Sequence, residues 1–229
     1  SVGQSFFQIN YTRKYSLHMF GIDNFFAFLI AGILLNITPG SDTMYVLGRS
    51  ISQGKKAGIY SALGIGTGCI VHIFLATFGL SLVIKESEML FNVIKYLGAG
   101  YLFYLGVRMW LNRSGSKFDV SGADDIPDLK RVFLSGALTN ILNPKVAVFF
   151  IAFLPQFVHT TYPRPAIPFF ILGFTFNFTG TVWNLILALF ASTMTRKIKD
   201  NYRFKTWLDR LTGSVFILLG IKLALQQRH

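Results

Sequence analysis

Charge is scarce in this chain, and acid is the scarcest kind. Of its 229 residues 14% are charged and only 10 are Asp or Glu, where a soluble domain carries about 25% charged residues. So few charges cannot cover the surface of a soluble protein of this length, which places the chain in a bilayer. Cysteine is nearly absent: the lone Cys69 excludes an intramolecular disulfide, a C-x-x-C redox pair and a cysteine-based zinc site. The histidines, His18, His72, His159 and His229, are scattered, and neither H-E-x-x-H nor G-x-S-x-G occurs. A membrane-embedded enzyme would need such a constellation, so no catalytic residue, metal or cofactor is expected.

What the chain has instead is apolar length: 52% of its residues are hydrophobic and 16% aromatic. Crossing a hydrocarbon core takes about 20 apolar residues in a helix, and the segments 22–48, 58–84, 91–111, 132–154, 166–194 and 207–225 qualify. The formal charge of +12 would suggest nucleic acid in a soluble protein. Here the Lys and Arg gather between apolar runs, so they set orientation and no nucleic-acid partner is expected. Arg49, Lys55 and Lys56 follow the first span. Arg108, Arg113, Lys117, Lys130 and Arg131 surround the third connection, and Arg196, Lys197, Lys199, Arg203, Lys205 and Arg210 the fifth. The second and fourth connections are poor in them, so the odd connections face the cytoplasm and both termini lie outside. Arg13 and Lys14, before the first span, pull weakly the other way.

The longest polar stretch, NRSGSKFDVSGADDIPDLKR, lies between the third and fourth spans and holds Asp119, Asp124, Asp125 and Asp128. Their spacing matches no calcium loop, so the stretch reads as a solvated linker. The organisation is therefore an N-terminal tail 1–21, a three-helix repeat 22–112, a cytoplasmic linker 113–131 and a second three-helix repeat 132–229. Because three is odd, the halves sit in the membrane inverted relative to one another, a common transporter design. LGAGYLFYLGVRMWL (97–111) and LTGSVFILLGIKLAL (211–225) align Gly106 with Gly220 and Arg108 with Lys222. The fold expected is an all-α integral membrane protein of six transmembrane helices, in two inverted repeats with helices one and four broken.

The breaks carry the functional reading. LNITPGSD (35–42) puts Asn36, Pro39, Gly40, Ser41 and Asp42 inside an apolar run, and TNILNPKVAVFF (139–150) repeats the design with Asn140, Asn143, Pro144 and Lys145. Proline removes a backbone donor and glycine releases helical geometry, and the freed groups are tolerated at membrane depth only where protein or a water-filled cavity satisfies them. Asp42 and Lys145 must face the interior, since a charge at mid-span costs about 2.5–3.5 kcal/mol. They are expected to pair with each other when no substrate is bound, and a plain helix-helix salt bridge is the structural alternative. Gly64, Gly68 and His72 recur every fourth residue. The glycines read as packing positions and His72, with Asp42, as a proton-coupling candidate. Asn177, Thr181 and Asn184 form a polar stripe on the fifth span, and Asn177 and Asn184 join the substrate-binding candidates.

PGSDTMYVLGRSISQGKKAG (39–58), GIGTGCIVH (64–72) and NPKVAVFFIAFLPQF (143–157) resemble the LysE/RhtB-type amino-acid exporter family over most of the chain from Met19 onward. The family usually has P-G-P-D where this chain has Pro39, Gly40, Ser41 and Asp42. The resemblance implies a multi-pass bacterial inner-membrane exporter for amino acids or close analogues, driven by the proton-motive force, with protons and lipid as its other partners and room for a homo-oligomer. The alternative is an inorganic-ion permease or channel built on the same breaks. Which amino acid is carried is not readable. The topology is open to test: a cysteine introduced by Asp124→Cys in a Cys69→Ser background should be shielded from a membrane-impermeant maleimide in intact cells and labelled in inverted vesicles. Labelling in intact cells would reverse the orientation.

Overall fold

The computed structural model describes residues 19–80, 88–111, 128–159 and 162–200, with scattered positions between Trp207 and Leu225. The tail 1–18, most of the linker with its acids Asp119, Asp124 and Asp125, and most of the sixth span lie outside the described residues. Among those described the chain is helical, with one isolated antiparallel bridge between Ile22 and Val158. The helices are α1 (Phe25–Ile37), α2 (Ser41–Phe74), α3 (Glu88–Leu111), α4 (Leu129–Ile141), α5 (Pro144–Val148) and α6 (Ala166–Asp200). α2 runs on through a π-helical turn, Leu75–Leu80, and α5 through a π-helical Phe149–Phe153 and a 3-10 turn, Leu154–Phe157.

Both expected breaks are present. α1 stops at Ile37, Thr38 (φ −63, ψ 123) and Gly40 (φ −150, ψ −169) are extended, and α2 starts at Ser41. α4 stops at Ile141, Asn143 is extended, and Pro144 occupies the first turn of α5, where its missing N–H costs nothing. Leu129–Ile141 and Pro144–Phe157 meet at 45° and together are long and apolar enough to cross a membrane, as are Ser41–Leu80 and Ala166–Ala191. The linker ends earlier than expected, because Asp128 accepts from the amides of Lys130 and Arg131 and starts α4 at Leu129.

The connection between the first two spans, residues 49–57, is reduced to one residue: helical structure continues on both sides of Gly54, whose φ of 85° suits glycine alone. The chain doubles back there. Residues eight apart on a straight helix are ~12 Å distant, whereas a Cβ on Gly58 would collide with the Ser50 hydroxyl. α2 is thus two antiparallel arms, 41–53 and 55–74.

Besides a buried core of Phe28, Phe149, Phe153, Phe169 and Leu172, the helices carry large apolar side chains on their outer faces. Arm 55–74 and its π turn expose Tyr60, Leu63, Val71, Phe74, Leu75 and Phe78 and bury Ser61, Gly64, Gly68 and His72. α6 exposes Phe170, Phe174, Phe178 and Val182 and buries Asn184 and Ala188. Large apolar groups facing outward and small or polar ones inward suit a lipid solvent, in which helices associate by close backbone approach. Contacts set the directions. Gly58 meets Ala188, Gly66 meets Thr181 and Gly173 meets Ile73, so arm 55–74 and α6 are antiparallel. Gly64 lies on the Phe133 carbonyl and Gly68 on the Ala137 carbonyl, so the arm and α4 are parallel. Gly32 meets Phe176 and Gly180 meets Asn36, so α1 and α6 are parallel. This alternation is what a chain crossing back and forth requires. α3 lies beside the described part of the sixth span, with Gly106 on the Gly213 backbone and Trp110 Nε1 donating to the Arg210 carbonyl and Ser214 Oγ.

Two clamps fix the ends of the broken spans. Around Ile22 and Val158, Asp23 N donates to the Phe157 carbonyl (2.8 Å), His159 N to the Gly21 carbonyl (2.9 Å), and the two side chains meet at 3.2 Å. Inward of this, Phe28, Phe149, Phe153, Phe157 and Phe176 form a buried ring cluster with centroids as close as 4.5 Å. The glycine contacts predict an asymmetry between neighbouring residues. Gly64→Val, which drives a side chain into the Phe133 carbonyl, should destabilise the detergent-solubilised protein by about 1–3 kcal/mol. Leu63→Ala, on the lipid face, should change it by less than about 0.5 kcal/mol. Thermal unfolding midpoints of the two variants check this.

Candidate functional site

The two breaks share a plan that goes beyond their prolines. α1 and α4 each have 13 residues, and both end in G-x-L-x-N-I: Gly32 to Ile37 and Gly136 to Ile141. In each case the second residue of the following helix is charged, Asp42 in α2 and Lys145 in α5. Reading the sequence around the prolines matched the breaks only loosely. The hexapeptide just upstream was the stronger signal and was missed.

Each charge is held by the opposite break. Lys145 Nζ donates to the carbonyls of Leu35 (2.8 Å) and Thr38 (2.9 Å), groups that α1 leaves without helical partners. A cation there also meets the negative end of the α1 dipole. Thr38 Oγ1 donates at 2.7 Å to the Leu34 carbonyl, which also accepts from Thr38 N. Gly40 lets the lysine in: a Cβ there would sit 3.3 Å from Nζ. Asp42, in the first turn of α2 where the dipole favours an anion, accepts at Oδ2 from Asn140 Nδ2 at 2.9 Å. The direct Asp42–Lys145 pair expected from the sequence is therefore replaced by two crossed attachments. The reason is the backbone: unpaired carbonyls at the end of α1 compete for the ammonium and sit within its reach.

Asn140 also joins the two proton-coupling candidates. Its side chain holds Asp42, and its carbonyl lies 3.1 Å from Nε2 of buried His72. A carbonyl only accepts, so Nε2 carries the proton in this contact. Gly64 and Gly68 serve packing, as expected. A Cβ on Gly68 would come within 3.0 Å of Asn140 Cβ, and this glycine lets Asn140 approach the arm that carries His72.

The other candidates divide. Asn143 uses Oδ1 to cap α5, accepting from Lys145 N at 3.0 Å. Asn36 is turned to α6 instead, donating to the Phe176 carbonyl (3.3 Å) and Thr179 Oγ1 (3.1 Å) over Gly180. Asn177 accepts from Thr181 opposite Gly66, and Asn184 is buried further along the same helix. Among the described residues neither hydrogen-bonds to Asp42 or Asn140. Pro39 is half-buried, and Ser41 and Pro144 are exposed. Asp42 Oδ1, Asn140 Oδ1 and Asn143 Nδ2 are buried without a hydrogen-bond partner, as is Trp183 Nε1 on α6, a residue the sequence reading passed over. A buried polar atom left unpaired costs about 1–3 kcal/mol, and the two breaks hold three such atoms between them. No group of His, Cys, Asp and Glu able to hold a metal ion occurs among the described residues.

Comparison with known proteins bears on this geometry. The family model described as LysE type translocator matches residues 33–227, which include both breaks. The leucine efflux protein of Klebsiella pneumoniae subsp. pneumoniae is 33% identical over 212 residues, covering 91% of this chain and 98% of that protein. The leucine efflux protein of Salmonella typhimurium is 30% identical over 208 residues, covering 91% and 98%. The uncharacterized membrane protein YrhP of Bacillus subtilis is 34% identical over 206 residues, covering 87% and 97%. No solved structure matches.

Proposed function

The chain belongs to the LysE type translocator family, and from that premise we propose that this multi-pass transport protein, not an enzyme, exports amino acids across the bacterial inner membrane by proton-coupled alternating access. The observation that carries the reading is the meeting of two broken helices around buried, unpartnered polar atoms of Asp42, Asn140 and Asn143. An amino acid is a zwitterion. It needs an anionic partner for its ammonium, which Asp42 supplies, and a positive environment for its carboxylate. The second need is served by the positive potential of the nearby Lys145 ammonium, which is tied to α1, and by the N-terminus of α2, whose cap residue Gly40 offers no side chain to its free amides.

The matched half-helices, their shared ending and their crossed attachments support the reading of two inverted repeats, with Pro39, Gly40, Ser41 and Asp42 on one side of the cavity, Asn140, Asn143, Pro144 and Lys145 on the other, and Asn36 tying α1 to α6. Asn177 and Asn184 line it from the fifth span. Proton coupling runs through Asp42. A proton on its carboxyl group cancels the charge that grips the ammonium and supplies an O–H for which Asn140 Oδ1 is the ready acceptor. His72, on the far side of Asn140, is the second group through which the proton can pass.

Efflux from proteoliposomes preloaded with a panel of amino acids, with and without an imposed pH gradient, tests the reading. Saturable efflux of at least one member, accelerated by the gradient, is expected, with the leucine-like acids as first candidates because relatives are leucine efflux proteins. Efflux of inorganic ions alone would make the chain a permease. Asp42→Asn, with folding verified by size-exclusion and circular dichroism, should export downhill and lose the pH dependence. If it exports uphill with an unchanged pH profile, Asp42 is not the coupling residue.

A further inference from the structure

Lys145 is the cation at the breaks, and the simple expectation is that it grips the carboxylate of the transported amino acid. Its hydrogen bonds point elsewhere. α1 has no basic residue in its own last turn, and two of its terminal carbonyl groups are satisfied by the Lys145 ammonium reaching across from α5. Withdrawing that ammonium to hold a substrate would leave buried carbonyls unpaired inside the membrane, a heavy cost where water is excluded.

Two of the three N–H groups of the Lys145 ammonium are committed to α1, whereas Asn143 offers a donor that no acceptor takes. It is 3% exposed, and its Oδ1 is fixed against Lys145 N. Turning the amide over would set N–H₂ against N–H, so the orientation is determined and Nδ2 faces away from α5 with no acceptor. Asn140, 2% exposed, is determined in the same way: Nδ2 faces the Asp42 carboxylate, and Oδ1 is left as an acceptor without a donor. The two asparagines issue from one turn, Asn143 N donating to the Asn140 carbonyl at 2.9 Å. The unpartnered set is therefore two acceptors, Asp42 Oδ1 and Asn140 Oδ1, and one donor, Asn143 Nδ2. That is the complement of an ammonium and a carboxylate carried on one small molecule.

We propose that Asn143 Nδ2 binds the substrate carboxylate, that Asp42 Oδ1 and Asn140 Oδ1 bind its ammonium, and that Lys145 is a positioning residue that holds the end of α1. The assignment rests on the amino-acid reading above and divides its site. A zwitterion with both ends free is required, so amides, esters and deaminated acids are poor ligands.

The test uses the full chain in lipid nanodiscs, with binding of L-leucine and L-leucinamide measured by competition, or the acid and amide of whichever panel member is exported. Asn143→Asp keeps the oxygen that caps α5 and replaces the donor by a second acceptor with a negative charge, and the neutral Asn143→Ser separates loss of the donor from repulsion by that charge. The aspartate variant should weaken the acid about ten-fold or more, the size of one lost charge-assisted hydrogen bond, and the amide by less than about three-fold on the same scale. Asn143→Ser, which also caps, should shift the ratio in the same direction and stands in if the aspartate variant does not fold. Lys145→Met should lower thermal stability and transport but keep the acid-to-amide ratio of the unsubstituted protein, and Lys145→Arg should restore transport. A ratio that collapses in Lys145→Met and survives in both Asn143 variants would make Lys145 the carboxylate ligand and overturn the proposal. A ratio unmoved by any of them would also overturn it. Failure of the unsubstituted protein to bind or export any amino acid strikes the export reading itself, and is told apart because no variant is needed to see it.

Discussion

A helix interrupted inside a bilayer releases carbonyls and amides where no water can satisfy them, and the rest of this structure is organised by how those groups are met. At the end of α1 they are met by one ammonium from α5 and one threonine hydroxyl. At the start of α5 an asparagine serves, and at the start of α2 an aspartate complements the helix dipole and is tied to α4. Neither break closes its accounts locally. Each draws on the other, so the two broken spans are stable as a pair.

Such crossed attachment demands close approach, which explains where the glycines stand. Asn140 can hold Asp42 and meet His72 only because α4 lies almost directly on the backbone of arm 55–74, through Gly64, Gly68 and Gly136. Lys145 reaches α1 past Gly40, and Asn36 reaches α6 at Gly180. The polar centre and the small-residue packing are two aspects of one arrangement: lipid gives helices no hydrophobic reason to associate, so backbone proximity and interior hydrogen bonds must do it.

Much of this was legible in the letters. Pro39, Gly40 and Pro144 announced the breaks, Asp42 and Lys145 their interior facing, and Gly64 and Gly68 a tight crossing. What was not legible falls into two kinds. The partners of Lys145 are carbonyl oxygens, which every residue carries and no letter marks, so a side-chain reading paired it with the visible acid instead. The form of a connection is the other kind: the polar run 49–57 marks where the chain leaves one span for the next, because polarity reports contact with water. It does not report that one residue, Gly54, is enough to turn the chain. Asn36 looked like part of the centre by analogy with Asn140, but its orientation toward α6 is set by residues 140 or more positions away.

The one-residue reversal at Gly54 decides which residues of α2 become neighbours. Arms 41–53 and 55–74 have no slack between them, and Ser50 is lodged in the notch left by Gly58. Asp42 near one end of this folded-back element and His72 near the other are thereby carried to the same residue, Asn140 on the other broken span, so a single residue of α4 touches both arms at once.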